Sequence, residues 1–186
     1  MKKIILVHLL FIFILQSNAQ VVINEYSCSN INTFADAYGE FEDYVELYNT
    51  GASNVNLTGY YLSDDPTDVM KWQIPAVLPI NANGRKMIVC SGRDIIAAGD
   101  QIHPDFKLTQ TKGEWIILSD ASGVLVDSVH LKLTQRGHSI GRTTDGAPTW
   151  SVFTTPTADA SNASATPFTN YATKPIFSLA PGFYSA

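Results

Sequence analysis

Basic side chains, cysteines and long apolar runs are all scarce in this chain of 186 residues. Lys and Arg number 12 against 17 Asp and Glu, a formal net charge of −5. Phosphate binding needs a basic face, so this balance disfavours nucleic acid as a main partner. The 2 cysteines are too few for a structural zinc site. No apolar run reaches the roughly twenty residues a helix needs to cross a bilayer. Charged residues make up 16% and apolar residues 45%. That composition excludes a wholly disordered chain, a coiled coil and a collagen-like repeat. The length suits one domain with attachments and is enough to bury a core.

What is present begins with an export signal. Lys2 and Lys3 form a basic start, Ile4 to Leu15 an apolar stretch, and Ser17-Asn18-Ala19 ends in the small residue a signal peptidase accepts. The expected cut follows Ala19, so residues 1–19 are a signal peptide and Gln20 begins the mature chain. A membrane anchor is the alternative, but about twelve apolar residues are too few to span. No Cys follows the cut, which speaks against a lipoprotein. Losing Lys2 and Lys3 takes the basic count from 12 to 10 against 17 acidic residues, a net −7. The expected location is secreted or cell-surface. There Cys28 and Cys90 could form one disulfide, whose long loop is worth about 4 kcal/mol in the chain-entropy model. Two separate thiols are the alternative, and the sequence leaves both open.

The mature part reads as short strands between turns. Val21 to Tyr26 is β-branched. A polar loop spans Ser29 to Glu42. Asp43 to Asn49 alternates, with Val45 and Leu47 on one face and Tyr44, Glu46 and Tyr48 on the other. Leu57 to Asp64, Val69 to Ile74 and Lys86 to Ser91 are further strands. Arg93 to Ala98 is predicted as a short helix ended by Gly99. Glu114 to Ser119 and Val124 to Leu131 make a hairpin, and Trp150 to Phe153 is a last strand. Many strands without helical crossovers predict an all-β antiparallel β-sandwich and exclude a parallel α/β sheet. From Thr154 the chain turns to Thr, Ala, Ser, Asn and Pro and reads as a linker. Lys174 to Leu179 looks like a fresh strand, which either packs back or opens a following domain. The second is expected.

Specific motifs appear within this pattern. Asp43-Tyr44-Val45-Glu46-Leu47-Tyr48-Asn49 and then Leu57-Thr58-Gly59-Tyr60-Tyr61-Leu62-Ser63-Asp64 resemble the hallmark of the lamin tail domain family. Ile23-Asn24-Glu25, Gly123 to Val129, Gly137 to Arg142, Trp150 and Pro156-Thr157 resemble its other segments. Tyr44 and Tyr60 stand where the family commonly has Trp. The resemblance spans about Val21 to Asn162. It implies an immunoglobulin-like sandwich without catalysis, which in bacterial exported proteins sits beside nucleases, phosphatases, adhesins or CotH-type kinases. The tail resembles the start of a sandwich related to the chitobiase C-terminal domain. The implied organisation is a signal (1–19), a lamin-tail-like domain (20–162), a linker (163–174) and the start of a truncated β domain (175–186).

Gly137-His138-Ser139-Ile140-Gly141 fits G-x-S-x-G, but a turn follows where a nucleophile elbow needs a helix, and no His comes later. His103, His130 and His138 lack metal-ligand spacing. Asp64, Asp65 and Asp68 share one turn, and Asp36, Glu40, Glu42 and Asp43 share the long loop. Such clusters can bind Ca²⁺, although Asp also favours turns for backbone reasons. Ca²⁺ through Asp64, Asp65 and Asp68 is the one cofactor weighed; otherwise none is expected. Glycosidase carboxylates need a cleft that nothing here implies. Tyr44, Glu46, Tyr48 and Tyr61 form a candidate recognition face, against cross-strand packing. Trp72, Trp115 and Trp150 read as core. The expected role is a non-catalytic interaction or spacer module binding a protein or a surface or matrix component. The alternatives are a carbohydrate-binding module and the accessory domain of a larger enzyme.

Overall fold

A computed structural model describes residues 20–172. The expected signal at 1–19 and the expected following domain from 175 lie outside the described residues. In chain order the strands are β1 (Val21–Ser27), β2 (Tyr44–Asn49), β3 (Tyr61–Ser63), β4 (Trp72–Gln73), β5 (Arg85–Val89), β6 (Ile95–Ala97), β7 (Gln101–His103), β8 (Trp115–Ser119), β9 (Leu125–His130), β10 (Ser139–Arg142), β11 (Trp150–Phe153) and β12 (Pro167–Phe168). They form an 8-stranded sheet in the order β12-β11-β10-β1-β2-β5-β7-β6 and a 4-stranded sheet in the order β4-β3-β8-β9. The result is the predicted all-β sandwich. The pairings are antiparallel except β5 with β7, which run parallel and meet at Ile88↔Ile102.

The core lies between the sheets. The large sheet contributes Ile23, Val45, Leu47, Ile88, Ile102 and Ile140, and the small sheet Leu62, Trp72, Ile116 and Leu118. Each large aliphatic side chain buried this way stabilises by roughly 1.5–3 kcal/mol. Strand β1 departs from simple alternation. Its register with β2 shifts between Ile23 and Glu25, so Asn24 is the extra residue of a bulge. A bulge turns two successive side chains to one face. Ile23 and Tyr26 therefore both reach the core cluster, while Asn24 and Glu25 both bond with the segments that cover the outer face. Beside the bulge, the Ile23 N–H donates to the Asp127 carboxylate (2.8 Å), and Arg142 Nε donates to the Ile23 carbonyl (2.7 Å). Arg142 and Asp127 pair at 2.8 Å. This ion pair replaces ladder bonds and ties β9 of one sheet to β1 and β10 of the other.

Two expectations are corrected here. Arg93 to Ala98 is not a helix: Ile95–Ala97 is β6, paired with β7 through Ile96↔Ile102. Gly99 (φ 75°) and Asp100 (φ 62°) are both left-handed and turn the chain into a hairpin. A left-handed glycine also ends helices, so the same residue serves either reading. The β-branched Ile95-Ile96 pair favours the strand. The second correction concerns the segment read as a linker from Thr154 and placed at 163–174 by the domain division. Thr157 and Asn162 are buried, Asn162–Ser164 is a 3₁₀ turn, and β12 pairs with β11. Residues 154–165 are a strap packed on the outer face of the large sheet. Its small polar residues resemble a linker in composition, but they hydrogen-bond to the Glu25 side chain and the Asn24 carbonyl, more than a hundred positions earlier.

Candidate functional site

The densest polar arrangement lies under this strap. Glu25 and Glu46 are direct cross-strand partners on β1 and β2, and both are fully buried. Glu25 accepts from the Tyr44 hydroxyl (2.6 Å), from the Thr157 N–H (3.1 Å) and from the Thr157 hydroxyl. Glu46 accepts from the Asn24 amide (2.8 Å) and the Asp159 N–H (2.8 Å), with Arg85 Nε at 3.6 Å. Burial is the main cause that pushes the Glu46 carboxyl up to about 8. Asp145 closes the group. It accepts from Asn24 Nδ2 (2.9 Å), the Ser161 hydroxyl (2.6 Å) and the Asn162 N–H (3.1 Å), and it pairs with Arg85. Those hydrogen bonds hold its carboxyl low despite burial. Asn162 donates to the carbonyls of Asn24 (3.2 Å) and Arg142 (2.8 Å). The strap is thus held by carboxylates and amides of β1, β2 and the turn after β10.

This arrangement overturns part of the proposed recognition face. Tyr44 and Glu46 are fully buried because the strap and the loop before β2 cover them; the Phe34 ring packs on Tyr44 at 5.9 Å. Tyr48 is half-buried beneath the Arg85 guanidinium, 5.3 Å from its ring centre. Tyr61 belongs to the other sheet, its hydroxyl bonded to Gln73 Nε2 at 3.0 Å. The four residues do not share a surface.

The acidic clusters are engaged in turns and ion pairs. Asp64 pairs with Lys71 at 2.5 Å. Asp65 accepts from the N–H and hydroxyl of Thr67 (2.8 and 2.7 Å), bonds that lower its carboxyl's affinity for a proton. The Asp68 N–H closes the turn onto the Asp65 carbonyl at 3.1 Å. In the long loop, buried Asp36 accepts from the Tyr38 and Glu40 N–H groups (both 2.8 Å) and pairs with Arg93 at 3.0 Å. Arg93 also reaches Glu40, and Lys107 reaches Glu42. Asp43 is pushed up to about 6, chiefly by burial. Among the described residues no three His, Cys, Asp or Glu side chains are grouped to hold a metal ion.

The remaining candidates are dispersed. Ser139 is buried on β10, and His138 turns away to the Tyr171 hydroxyl (2.8 Å). His103 is fully buried. Gln101 Oε1 accepts from the Ala37 N–H (2.8 Å), so His103 donates to it through Nε2 (2.9 Å) and accepts the Ser91 hydroxyl at Nδ1 (2.8 Å). This is a neutral tautomer, and burial lowers the ring's affinity for a proton. His130 meets the Trp115 ring edge-on at 5.0 Å. Trp72 is buried and donates to Asp94 (2.7 Å), while Trp150 lies half-buried against Arg142. Cys28 follows β1 and Cys90 follows β5, with β2 between those strands and both thiols free. Two strand spacings amount to about 9.5 Å, beyond the roughly 7 Å limit between disulfide-bonded Cα atoms. Burial pushes both thiols well up.

Sequence reasoning did not single out Asp145, Arg85 or Asn162. They come from separate turns and strands, and no local spacing joins them. Asn24-Glu25 and Pro156-Thr157 were visible as motif segments, without their role against each other. Large apolar side chains remain exposed on the loop between β1 and β2, namely Ile31, Tyr38 and Phe41. Arg93 lies 4.7 Å from the centre of the Tyr38 ring.

No curated protein matches the chain. A family model described as the Lamin Tail Domain matches residues 15–132, more than half of its length, and the chain belongs to that family.

Proposed function

We propose that the chain is a non-catalytic interaction or spacer module of an exported, multidomain surface or secreted protein. One observation carries this reading. The groups best suited to chemistry, Glu25, Glu46, Asp145 and His103, are bonded to the chain's own backbone and side chains instead of lining an open cleft. The family supports it, being an immunoglobulin-like fold of binding and structural modules. The binding surface in this reading is the loop with Ile31, Tyr38 and Phe41, where an aromatic ring under a guanidinium offers the side-chain types that dominate interfaces. A net acidic partner is disfavoured by the chain's own negative balance. The protein or surface component it would meet is therefore neutral or basic.

The test uses the exported protein and intact cells of its producer. Binding to the cell surface is expected, with at least tenfold loss in the double variant Tyr38→Ala, Phe41→Ala at unchanged melting temperature. Equal binding by the double variant removes the loop from the account. Turnover of a phosphoester, glycoside or ester substrate by the purified protein ends the non-catalytic reading. A mature N-terminus other than Gln20 counts against the export signal as drawn.

A further inference from the structure

Two carboxyl groups directly opposite each other on neighbouring strands repel when both are charged, and burial without water multiplies that cost. Glu25 and Glu46 are such a pair. Among the described residues, these charged or polar groups meet them. From β2 comes the Tyr44 hydroxyl, donated to Glu25. From β5 comes Arg85, whose guanidinium is shared with Asp145 of the turn after β10. From the strap come Asp159, which offers its N–H to Glu46, and the neutral Thr157. Among the described residues, Glu25, Glu46 and Asp145 therefore face one cation, Arg85. We propose that Glu46, buried opposite Glu25, carries a bound proton at neutral pH and that this proton latches the strap, residues 154–165, onto the large sheet.

The geometry gives the reason the strap responds first. The strands around the pair are held by ladders: β1 by β2 and β10, and β2 by β5. The strap is held by bonds to the acids and amides themselves, at Thr157, Asp159, Ser161 and Asn162. When Glu46 ionises, hydration is regained most cheaply by lifting the roof. The direction agrees with burial raising Glu46 from 4.5 to about 8. A carboxyl raised on folding stabilises fully below its unfolded value and loses that contribution as pH climbs through the folded one. The latch therefore opens on the alkaline side. Acid does not open it through this pair.

Hydrogen exchange read by mass spectrometry tests this on the exported protein, with rates corrected for intrinsic pH dependence. Protection of peptides covering 155–165 is expected to fall at least tenfold between about pH 6 and about pH 9.5, while β8 stays protected. Glu46→Gln, which cannot ionise, is expected to keep its strap protected throughout. Infrared spectra of the wild-type protein give an independent reading: a protonated-carboxyl band present near pH 7 is expected to vanish with the same midpoint. Strap protection that does not change with pH overturns the proposal. So does an unchanged fall in Glu46→Gln, or the absence of the band. If Glu46→Gln does not fold, the wild-type exchange and infrared midpoints decide alone: coincidence supports the latch and separation rejects it.

Discussion

Gly141 is the second glycine of the G-x-S-x-G segment, and the physical need for it has nothing to do with a nucleophile. On β10 it faces the strap, where a Cβ would run into the Phe153 ring and press on Asn162 Nδ2. Phe153 is fully buried, so its ring has little room to give way. Gly141→Ala is therefore expected to lower stability by about 2 kcal/mol, as overpacking of a filled interior does. Urea unfolding measures it, and a variant as stable as wild type contradicts the packing. Asn162 is the other residue on which the region turns. Asn162→Ala removes donors to two carbonyls and an acceptor for Thr157, with an expected loss of about 3 kcal/mol from unpaired buried groups. Its near-neutrality by the same assay would mean that water replaces the amide.

At the scale of elements, the strands and the hairpin of β8 and β9 were legible in the sequence because period-two alternation reports burial directly. Val45 and Leu47 reach the core as their spacing requires. The opposite face, with Tyr44 and Glu46, is open in the sequence to two readings, a recognition surface and cross-strand packing, because alternation says which side a residue faces and nothing about what covers that side; the structure shows the packing. The strap escaped notice for a related reason. Thr, Ala and Ser bury little apolar area, so its order comes from hydrogen bonds to partners that no local pattern reveals. The helix predicted at Arg93 to Ala98 failed at Gly99, whose left-handed backbone suits a helix end and a hairpin equally. If the strap is an element of the fold, protease will spare Thr154 to Ala165 in the native protein. Asn162→Ala is expected to be cut there at least tenfold faster, as gel electrophoresis and mass spectrometry would show. Rapid cutting of the wild-type strap would restore the linker reading.

For the whole molecule, two expectations follow from what the sandwich encloses. Strand β2 stands between the strands that lead to Cys28 and Cys90, so oxidation is expected to leave both thiols free. Mass spectrometry of the purified protein under non-reducing conditions would detect the alternative as a loss of two hydrogens. The pH dependence of global stability has a definite sign. Asp43, raised to about 6, and Glu46, raised to about 8, both stabilise most in mild acid and contribute less as pH rises through those values. Asp145, lowered, works the other way and loses its contribution as pH falls through its folded value. The melting temperature is therefore expected to decline from about pH 5 to about pH 9, and a flat profile would contradict the burial of these acids.

The Asp127–Arg142 bridge beside the β1 bulge has a bearing on the free margins of the two sheets. Open sheet margins invite other chains to add themselves, and proteins counter this with inward charges, prolines and very short strands. Strand β9 turns a charged side chain inward along its free margin, and β12 is two residues long and carries Pro167. Both of those margins are blunted against polymer growth. On the opposite margin of the large sheet β6 is also short, three residues, but it carries the β-branched pair Ile95-Ile96, so ribbon-like aggregation of a damaged molecule would start there.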